Sequence, residues 1–225
     1  MDRETRPDAD EARLRAAICA AGRRLGARGL IAAAEGNLSI RLAGGVLLTT
    51  PTGRRKDELV PEDLATVPLD PTGGPVPRGP RPSSDIEIHR AIYAARPDVV
   101  AVAHAHLPVS MALTLAGHVP DPSALPETAF HLPVLPLVAI GEMGSPELAA
   151  RVAAAFGPAA PPLPGAVLLE RHGAIAVGTM PPADRDTDAL ETALVQAVDR
   201  LELVDVLCRV WRDAILLRAA SGGSV

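Results

Sequence analysis

The hydrophobic pattern along the chain predicts that the domain begins and ends with a helix. From Asp10 to Arg28, apolar side chains recur at helical spacing, and Gly29 can cap that helix. A longer stretch with the same periodicity, from about Arg185 to Ala219, predicts a long amphipathic helix. The first helix is expected to lie against the core through its apolar face.

Strand-like runs fill much of the middle of the chain. Leu38 to Leu42 and Val46 to Thr50 flank Ala43-Gly44-Gly45, which favours a hairpin turn and predicts an antiparallel pair. The run VVAVAHAH, from Val99 to His106, predicts a buried strand whose last residues emerge at a sheet edge or end. Strands are also predicted at AVLLE and AIAVG, on either side of Arg171-His172-Gly173, and PVLPLV can form another.

Short helices are predicted between these strands. Ser84 and Glu87 have the spacing of a capping box, before a helix that ends near Pro97. Another helix is expected from Val109 to Ala116. Ser145 is predicted to be the N-cap of a helix that ends at Gly157, because proline follows it at the first turn.

The loops do not divide the chain into separate domains. The stretch from Asp70 to Pro82 is too rich in proline and glycine for a regular element, so we interpret it as a surface loop. A proline-rich loop is also expected from Gly157 to Gly165. We predict one domain over residues 10–219, with a flexible N-terminus at 1–9 and a flexible tail at 220–225.

Composition narrows the class of protein. With 48% apolar residues among 225, the chain can bury a sizeable core. Its net charge of −5 gives no broad basic surface of the kind that binds nucleic acid. The charged N-terminus lacks the apolar core of a signal peptide, and no run is long enough to span a membrane. Cys19 and Cys208 lack disulfide or metal-knuckle spacing, so we expect a cytoplasmic protein without nucleic-acid or membrane partners.

Three histidines form the main candidate for chemistry. His104 and His106 are two apart on a predicted strand, so their side chains point to the same face and can reach one ion. His172 adds a third ligand from another strand end, and Gly173 lets the backbone approach a metal centre closely. Three imidazoles with an open fourth position are typical of catalytic zinc. The other histidines lack such spacing, and we interpret them as surface or capping residues; they are His89, His118 and His131.

Small polar residues at element boundaries are candidates for phosphate binding. They occur in the segments Gly36-Asn37, Pro51-Thr52-Gly53 and Pro82-Ser83-Ser84. Amides and hydroxyls at such boundaries can hold a phosphate without a lysine. Each segment alone is more often ordinary turn chemistry, so the hypothesis depends on their occurring together.

Five motifs together resemble the class II aldolase/adducin superfamily. In order along residues 10–215 they are GNLSIRL, LLTTPTG, RPSSDIEIH, VAHAH and LLERHGAIAVG. No single motif is decisive, but five in register over one domain form a specific signal. The superfamily includes sugar-phosphate aldolases and pentulose-phosphate 4-epimerases.

This resemblance implies an architecture and a site. The fold expected is a three-layer α/β/α sandwich with a mostly antiparallel central sheet, assembled as a homotetramer with active sites between subunits. Zinc, or another divalent ion such as Mn²⁺ or Co²⁺, is implied on His104, His106 and His172, with Asp85 as the catalytic acid beside it. The residues implied to bind the substrate phosphate are Asn37, Thr52, Gly53, Ser83 and Ser84.

Two departures from the family pattern bear on the reaction. Asp85 stands where the aldolases usually carry glutamate and the 4-epimerases carry aspartate, and Glu87 is a weaker alternative base because its capping position already explains it. Family members also use tyrosines for proton transfer. This chain has only Tyr93, so Glu127 or His131 of a neighbouring subunit is the alternative donor.

The leading hypothesis is a zinc-dependent, fuculose-phosphate-aldolase-like lyase that cleaves a ketose phosphate. The region LPETAFHLPVLPLVAIGEMGSPELA looks more like the aldolases than the epimerases. The metal would act as a Lewis acid that stabilises the enediolate left when the carbon–carbon bond breaks. A pentulose-5-phosphate 4-epimerase, or a dehydratase or decarboxylase of a related sugar-acid phosphate, remains an alternative. The rival from another class is a non-catalytic adducin-like scaffold, which the three histidines argue against.

Overall fold

The structure, a computed structural model, describes residues 6–157, 161–181 and 185–221. Over these ranges one sheet is surrounded by helices. The helices are α1 (Arg6–Ala27), α2 (Ile86–Ala95), α3 (Pro108–Leu115), α4 (Pro126–His131), α5 (Pro146–Phe156) and α6 (Thr187–Ala220). The strands are β1 (Asn37–Leu42), β2 (Val46–Thr49), β3 (Ala65–Pro68), β4 (Val99–Ala105), β5 (Leu137–Val138), β6 (Ala166–Leu169) and β7 (Gly173–Thr179).

The seven strands form a sheet in the order β3-β2-β1-β4-β7-β6-β5. Every neighbouring pair is antiparallel except β5 with β6, which is parallel. The predicted hairpin is present, with Ser39 opposite Thr49. The α/β class and a mostly antiparallel sheet are therefore confirmed. The central position of β4 and β7 places the two histidine-bearing segments next to each other.

Alternate residues of the inner strands enter two separate core clusters. In β6, Ala166 and Leu168 join the cluster that contains apolar residues of α1, α3 and α6. Val167 and Leu169 join the other cluster, which contains those of α2 and α5. Successive side chains of a strand point to opposite faces of the sheet, so this alternation shows that both faces of β6 are covered. With few aromatic residues, these clusters are built mainly from valine, leucine, isoleucine and alanine.

Side-chain caps fix the starts of two helices. Ser145 accepts a hydrogen bond from the backbone N–H of Leu148 at 3.1 Å, as predicted for the start of α5. Asp186 caps α6 in the same way, so this helix begins two residues after the predicted position. The first helix begins at Arg6, four residues before the predicted start at Asp10.

The predicted capping box of α2 is wrong. Asp85 is the N-cap residue, and its side chain makes no capping hydrogen bond. Glu87 instead forms an ion pair with Arg90 one turn further along the helix, at 2.5 Å. Because Glu87 is exposed and already has a charged partner, it has a structural role that does not involve the helix start.

Two elements were not predicted from the sequence, and one is shorter than predicted. Strand β3 and helix α4 have only four and six residues, too few to display a clear periodicity. Of PVLPLV only Leu137 and Val138 pair with a neighbour, because the two prolines cannot donate ladder hydrogen bonds.

Parts of three predicted segments lie outside the described residues. These are residues 1–5 of the N-terminus, 158–160 of the proline-rich loop and 222–225 of the tail. Asp70 to Pro82 forms the surface loop that was predicted, exposed over most of its length. Among the helices in the described part of the chain, none is both long and apolar enough to span a bilayer.

Close packing between β7 and α6 gives a test of the fold. A Cβ added to Gly178 would lie 1.8 Å from the backbone oxygen of Ala193. We expect Gly178→Ala to lower the free energy of unfolding by about 1–3 kcal/mol, because backbone must move to relieve the clash. Urea unfolding would measure this loss. The control is Gly73→Ala, where no atom lies within 4 Å of the added Cβ, and it should change stability by less than about 0.5 kcal/mol. Equal stability of the two variants would contradict the packing.

Candidate functional site

The three predicted ligand histidines meet at one end of the β4–β7 pair. One nitrogen from each of His104, His106 and His172 lies within 4.8 Å of the other two. The ring centroids are separated by 4.9, 4.7 and 4.5 Å. His104 is the last but one residue of β4, and His106 follows the strand directly. The convergence that the two-residue spacing predicted is therefore present.

The turn between β6 and β7 delivers the third histidine. Arg171 has a φ of 59° and Gly173 a φ of 103°, so the backbone reverses tightly around His172. A Cβ at Gly173 would lie 2.2 Å from the backbone oxygen of Ala105 and 2.8 Å from the Cα of His106. Only glycine allows this approach. The sequence predicted that Gly173 lets the backbone approach a metal centre closely, and the close approach seen in the structure is to Ala105 and His106.

Two of the clustered histidines, His104 and His172, each have a buried ring nitrogen that is free to accept a metal ion. His104 Nδ1 lies 3.0 Å from the backbone oxygen of Ala174, so Nδ1 carries the proton and Nε2 is a bare acceptor. Among the described residues, the buried Nε2 atoms of His104 and His172 have no hydrogen-bond partner. A buried polar atom without a partner is costly, and a metal ion would satisfy both. The donor set therefore fits a divalent transition metal such as zinc.

Burial and mutual repulsion lower the pKa of His104 and of His172, which favours their neutral forms. Burial, followed by the nearby His172 and His106, holds the pKa of His104 well below its ordinary value. Burial and His106 also lower the pKa of His172, although the negative charges of Asp85 and Glu35 oppose this. Neutral imidazole is the form that ligates metal. Oε1 of Glu35 also lies 3.4 Å from Nδ1 of His106.

Asp85 stands beside the cluster as a buried carboxylate with one free oxygen. Its Oδ2 accepts a hydrogen bond from Nδ2 of Asn37 at 2.9 Å. Its Oδ1 is buried and has no partner among the described residues. Asp85 is only 6% exposed. A carboxylate with one oxygen held and one oxygen free is suited to proton transfer, because its position is fixed but its basicity remains available.

His89 is not the surface or capping residue that its place in the sequence suggested. It is 1% exposed, and its Nε2 lies 2.5 Å from Oδ1 of Asn37. Its Nδ1 lies 2.6 Å from Oγ of Ser39. Burial lowers the pKa of His89 to about 4, so the ring is neutral at physiological pH. The signal that sequence reasoning missed is helical spacing, since four residues separate His89 from Asp85 and also from Tyr93.

The proposed phosphate-binding segments lie next to one another. Pro51 and Pro82 form an isolated β-bridge, and the N–H of Thr52 donates to the backbone oxygen of Arg81 at 3.1 Å. The N–H of Ser83 donates to Thr50. Thr52, Gly53 and Ser84 are exposed, whereas Ser83 and Asn37 are buried. The exposed residues share one surface, while the amide of Asn37 is already bonded to Asp85 and His89.

A lysine that sequence reasoning missed lies near this surface. Lys56 is 2% exposed, and its Nζ donates to the backbone oxygens of Ala34 and Arg54, both at 2.7 Å. Burial lowers its pKa, while the charge of Asp85 opposes that shift. In the sequence it belongs to the charged run RRKDE, which resembles a solvated loop.

The alternative proton donors lie elsewhere. The hydroxyl of Tyr93 is buried against Ser39, and burial raises its pKa, so it is not a free acid. Glu127 and His131 line a cavity of about 650 Å³ with α6, and none of the three clustered histidines lines that cavity. The structure therefore does not bring Glu127 or His131 to the cluster within one chain.

Comparison with known proteins identifies the family. Residues 16–211 match the Class II Aldolase and Adducin N-terminal domain. The chain therefore belongs to the class II aldolase/adducin family, as its motifs indicated.

Three curated relatives are enzymes with different reactions. A methylthioribulose-1-phosphate dehydratase of Acidiphilium cryptum is 36% identical over 171 residues, which are 72% of this chain and 78% of the relative. A 3-oxo-tetronate 4-phosphate decarboxylase of Cupriavidus necator is 33% identical, covering 89% and 84% of the two chains. A 5-methylthioribulose-1-phosphate/5-deoxyribulose-1-phosphate aldolase of Rhodospirillum rubrum is 35% identical, covering 88% and 80%.

A solved structure supports the same assignment. The L-fuculose-1-phosphate aldolase of Thermus thermophilus superposes with a TM-score of 0.74 and is 33% identical, covering 95% of this chain and 99% of that one. The fold is thus that of a class II aldolase, and the chain is an enzyme of that type. The scaffold alternative is set aside.

Metal analysis tests the histidine cluster. We expect the protein to retain about one equivalent of zinc per chain after dialysis, because three imidazoles converge on one point. His172→Ala should lose most of that zinc, since two ligands hold an ion far less tightly. His118→Ala is the control and should keep its metal, because His118 lies outside the cluster. Atomic absorption measures all three samples, and equal zinc in both variants would refute the site.

Proposed function

We propose that the protein is a zinc-dependent, aldolase-type lyase that acts on a small ketose phosphate. The observation that carries the proposal is the convergence of His104, His106 and His172 beside the buried carboxylate of Asp85. Three imidazoles could hold a divalent ion that stabilises the negative charge formed in cleavage, and the adjacent acid could transfer the proton. The family assignment supports the same class of reaction.

The names of the relatives favour a particular substrate. A dehydratase and an aldolase among them are both named for methylthioribulose 1-phosphate. We therefore place 5-substituted ribulose 1-phosphates ahead of fuculose 1-phosphate as substrates for this chain. Dehydration is the second candidate, because both reactions need proton transfer at the carbon next to the carbonyl, a role that Asp85 could fill in either. In dehydration that proton is removed before water leaves, and in aldol cleavage a proton is added there after the carbon–carbon bond breaks.

The phosphate end of the substrate is assigned to the surface formed by Thr52, Gly53 and Ser84. Ser83 and Asn37 support that surface from beneath, and Asn37 retains one free N–H after bonding Asp85. Lys56 adds a buried positive charge nearby. Fixing the phosphate there orients the carbonyl end toward the histidines.

Asp85 performs the proton transfer in this proposal. When bound, the divalent ion supplies Lewis-acid stabilisation of negative charge on substrate oxygen. Oδ2 of Asp85 is held by Asn37, so Oδ1 is the atom that receives or returns the proton. The buried position of Asp85 excludes bulk water from that oxygen.

Self-association is part of the proposal. Large apolar side chains are exposed on α4 and α6, notably Phe130 at 80%, Leu216 at 60% and Leu217 at 71%. Such residues are typical of buried subunit contacts. We propose a homotetramer of three-layer α/β/α subunits, with the remaining proton donor supplied across an interface, acting in the cytoplasm.

A substrate panel tests the reaction. The zinc-loaded protein would be incubated with methylthioribulose 1-phosphate, fuculose 1-phosphate, 3-oxo-tetronate 4-phosphate and ribulose 5-phosphate, and followed by phosphorus NMR. We expect the first two to release dihydroxyacetone phosphate. A single new phosphorylated product that has lost water would instead assign a dehydratase. Release of carbon dioxide would assign a decarboxylase, and pentulose interconversion an epimerase.

Substitution of the acid tests the role of Asp85. Asp85→Asn should lower kcat by roughly 100-fold or more, because the amide cannot accept the proton. Its zinc content should stay unchanged. Glu87→Gln is the matched control and should retain nearly full activity, since Glu87 is exposed and paired with Arg90. Comparable losses in both variants would remove Asp85 from this role.

A further inference from the structure

Behind Asp85 lies a continuous row of buried polar side chains. Each member contacts the next within 2.9 Å, from Asp85 through Asn37, His89 and Ser39 to Tyr93. Their relative exposures are 6, 3, 1, 0 and 1% respectively. Burying polar groups costs free energy unless they are fully paired. Apolar side chains could fill the same space at a lower free-energy cost. Packing alone therefore does not explain why polar residues occupy these positions.

The chemistry of the groups gives the row a single direction. An ionised carboxylate only accepts, so Asn37 must turn its NH₂ group toward Asp85. This turns Oδ1 of Asn37 toward His89, and Oδ1 also only accepts. The proton of the His89 ring must then sit on Nε2. In a neutral ring Nδ1 is consequently bare, and it accepts from the hydroxyl of Ser39.

At the end of the row far from Asp85, the hydrogen bonds also donate toward Asp85. Because the Ser39 hydroxyl donates to His89, its oxygen accepts from the hydroxyl of Tyr93 at 2.8 Å. The backbone oxygen of Ser39, at 3.1 Å, also accepts from the hydroxyl of Tyr93, so the one hydrogen of that hydroxyl is shared between two acceptors of Ser39. Along the row, each hydrogen bond therefore pairs one donor with one acceptor, and each polarises the next toward Asp85.

Rigid elements hold the members in place. Asn37 and Ser39 are two apart on β1, so they share a face of the sheet. His89 and Tyr93 are four apart on α2, so they share a face of that helix. Asn37 is also paired with His104 in the β1–β4 ladder. The row therefore ties α2, the helix that begins after Asp85, to β1, the strand that pairs with the His104-bearing strand β4.

We propose that this one-way chain of hydrogen bonds fixes the Asp85 carboxylate beside the histidine cluster, with His89 as the positioning residue at its centre. The proposal rests on the proposed function for the use that is made of Asp85. The proposed chain adds three residues that support Asp85 without touching the substrate. His89, Ser39 and Tyr93 act only through Asn37.

The tautomer of His89 gives a readout that does not need activity. Nitrogen-15 NMR distinguishes a protonated ring nitrogen from a bare one. We expect Nε2 of His89 to be protonated and Nδ1 to be bare in the full-length, zinc-loaded protein. Protonation at Nδ1 would reverse the chain and overturn the proposal, whatever the enzyme catalyses.

Kinetics of two His89 variants separate positioning from packing. His89→Leu fills similar space but donates nothing to Asn37, so kcat should fall by roughly 10- to 100-fold, the range for residues that orient a catalytic group. KM and zinc content should stay unchanged. His89→Gln can place an amide N–H near the Nε2 position, and it should recover most of kcat. Tyr93→Phe, which removes only the hydroxyl, should give a smaller loss.

The outcomes distinguish this inference from the proposed function. If His89→Leu is folded, holds zinc and keeps kcat within about twofold, positioning by His89 is refuted while the function stands. Positioning by His89 is also refuted if His89→Gln has no higher kcat than His89→Leu. If His89→Leu does not fold, the proposal is decided by the kcat of Tyr93→Phe and by the tautomer of the His89 ring. If the unaltered protein converts no substrate of the panel, the proposed function fails, and the tautomer still decides the direction of the chain.

Discussion

The antiparallel pairing of β4 with β7 is the constraint on which the site depends. It sets His104 opposite Ile175 and Ala105 opposite Ala174. Because the register is fixed, the turn before β7 must lie beside the residues that follow β4, and His172 is carried to His106. The backbone oxygen of Ala174 also accepts from His104, which selects the tautomer that leaves Nε2 bare. One ladder therefore determines both the positions of the three rings and the nitrogen that His104 can offer.

Local chemistry made much of this predictable from the sequence. The spacing of His104 and His106 indicated a shared face, and Ser145 indicated a helix start that the structure contains. These features depend on neighbours within a few residues. The position of His172 at another strand end suggested it as the third ligand, and the family resemblance placed Asp85 beside the three. The identity of the substrate stays a prediction, because it depends on surfaces that the motifs do not describe.

Residues whose roles depend on distant partners were the ones that could not be predicted. His89 lies on an ordinary helical pattern, and only the fold shows that Asn37 and Ser39 cover both of its nitrogens. Lys56 stands in a charged run typical of a solvated loop, yet the chain folds over it and supplies two carbonyl oxygens. Glu87 was predicted to cap α2, but Arg90 competes successfully for its carboxylate. In each case a contact formed in the folded chain overrides the local signal.

The charges around the site are consistent with the anionic substrate that we propose. Burial favours the neutral forms of His104 and His172, and neutral ligands would not reduce the charge of a bound divalent ion. Asp85 and Glu35 offset that charge, and Lys56 then leaves an excess of positive charge in a buried region. Buried charge is screened weakly, so the excess is best balanced by a ligand that carries its own negative charge. A phosphate held at the Thr52–Gly53 turn would do this without an arginine clamp, since the ion, the lysine and the backbone amides share the task.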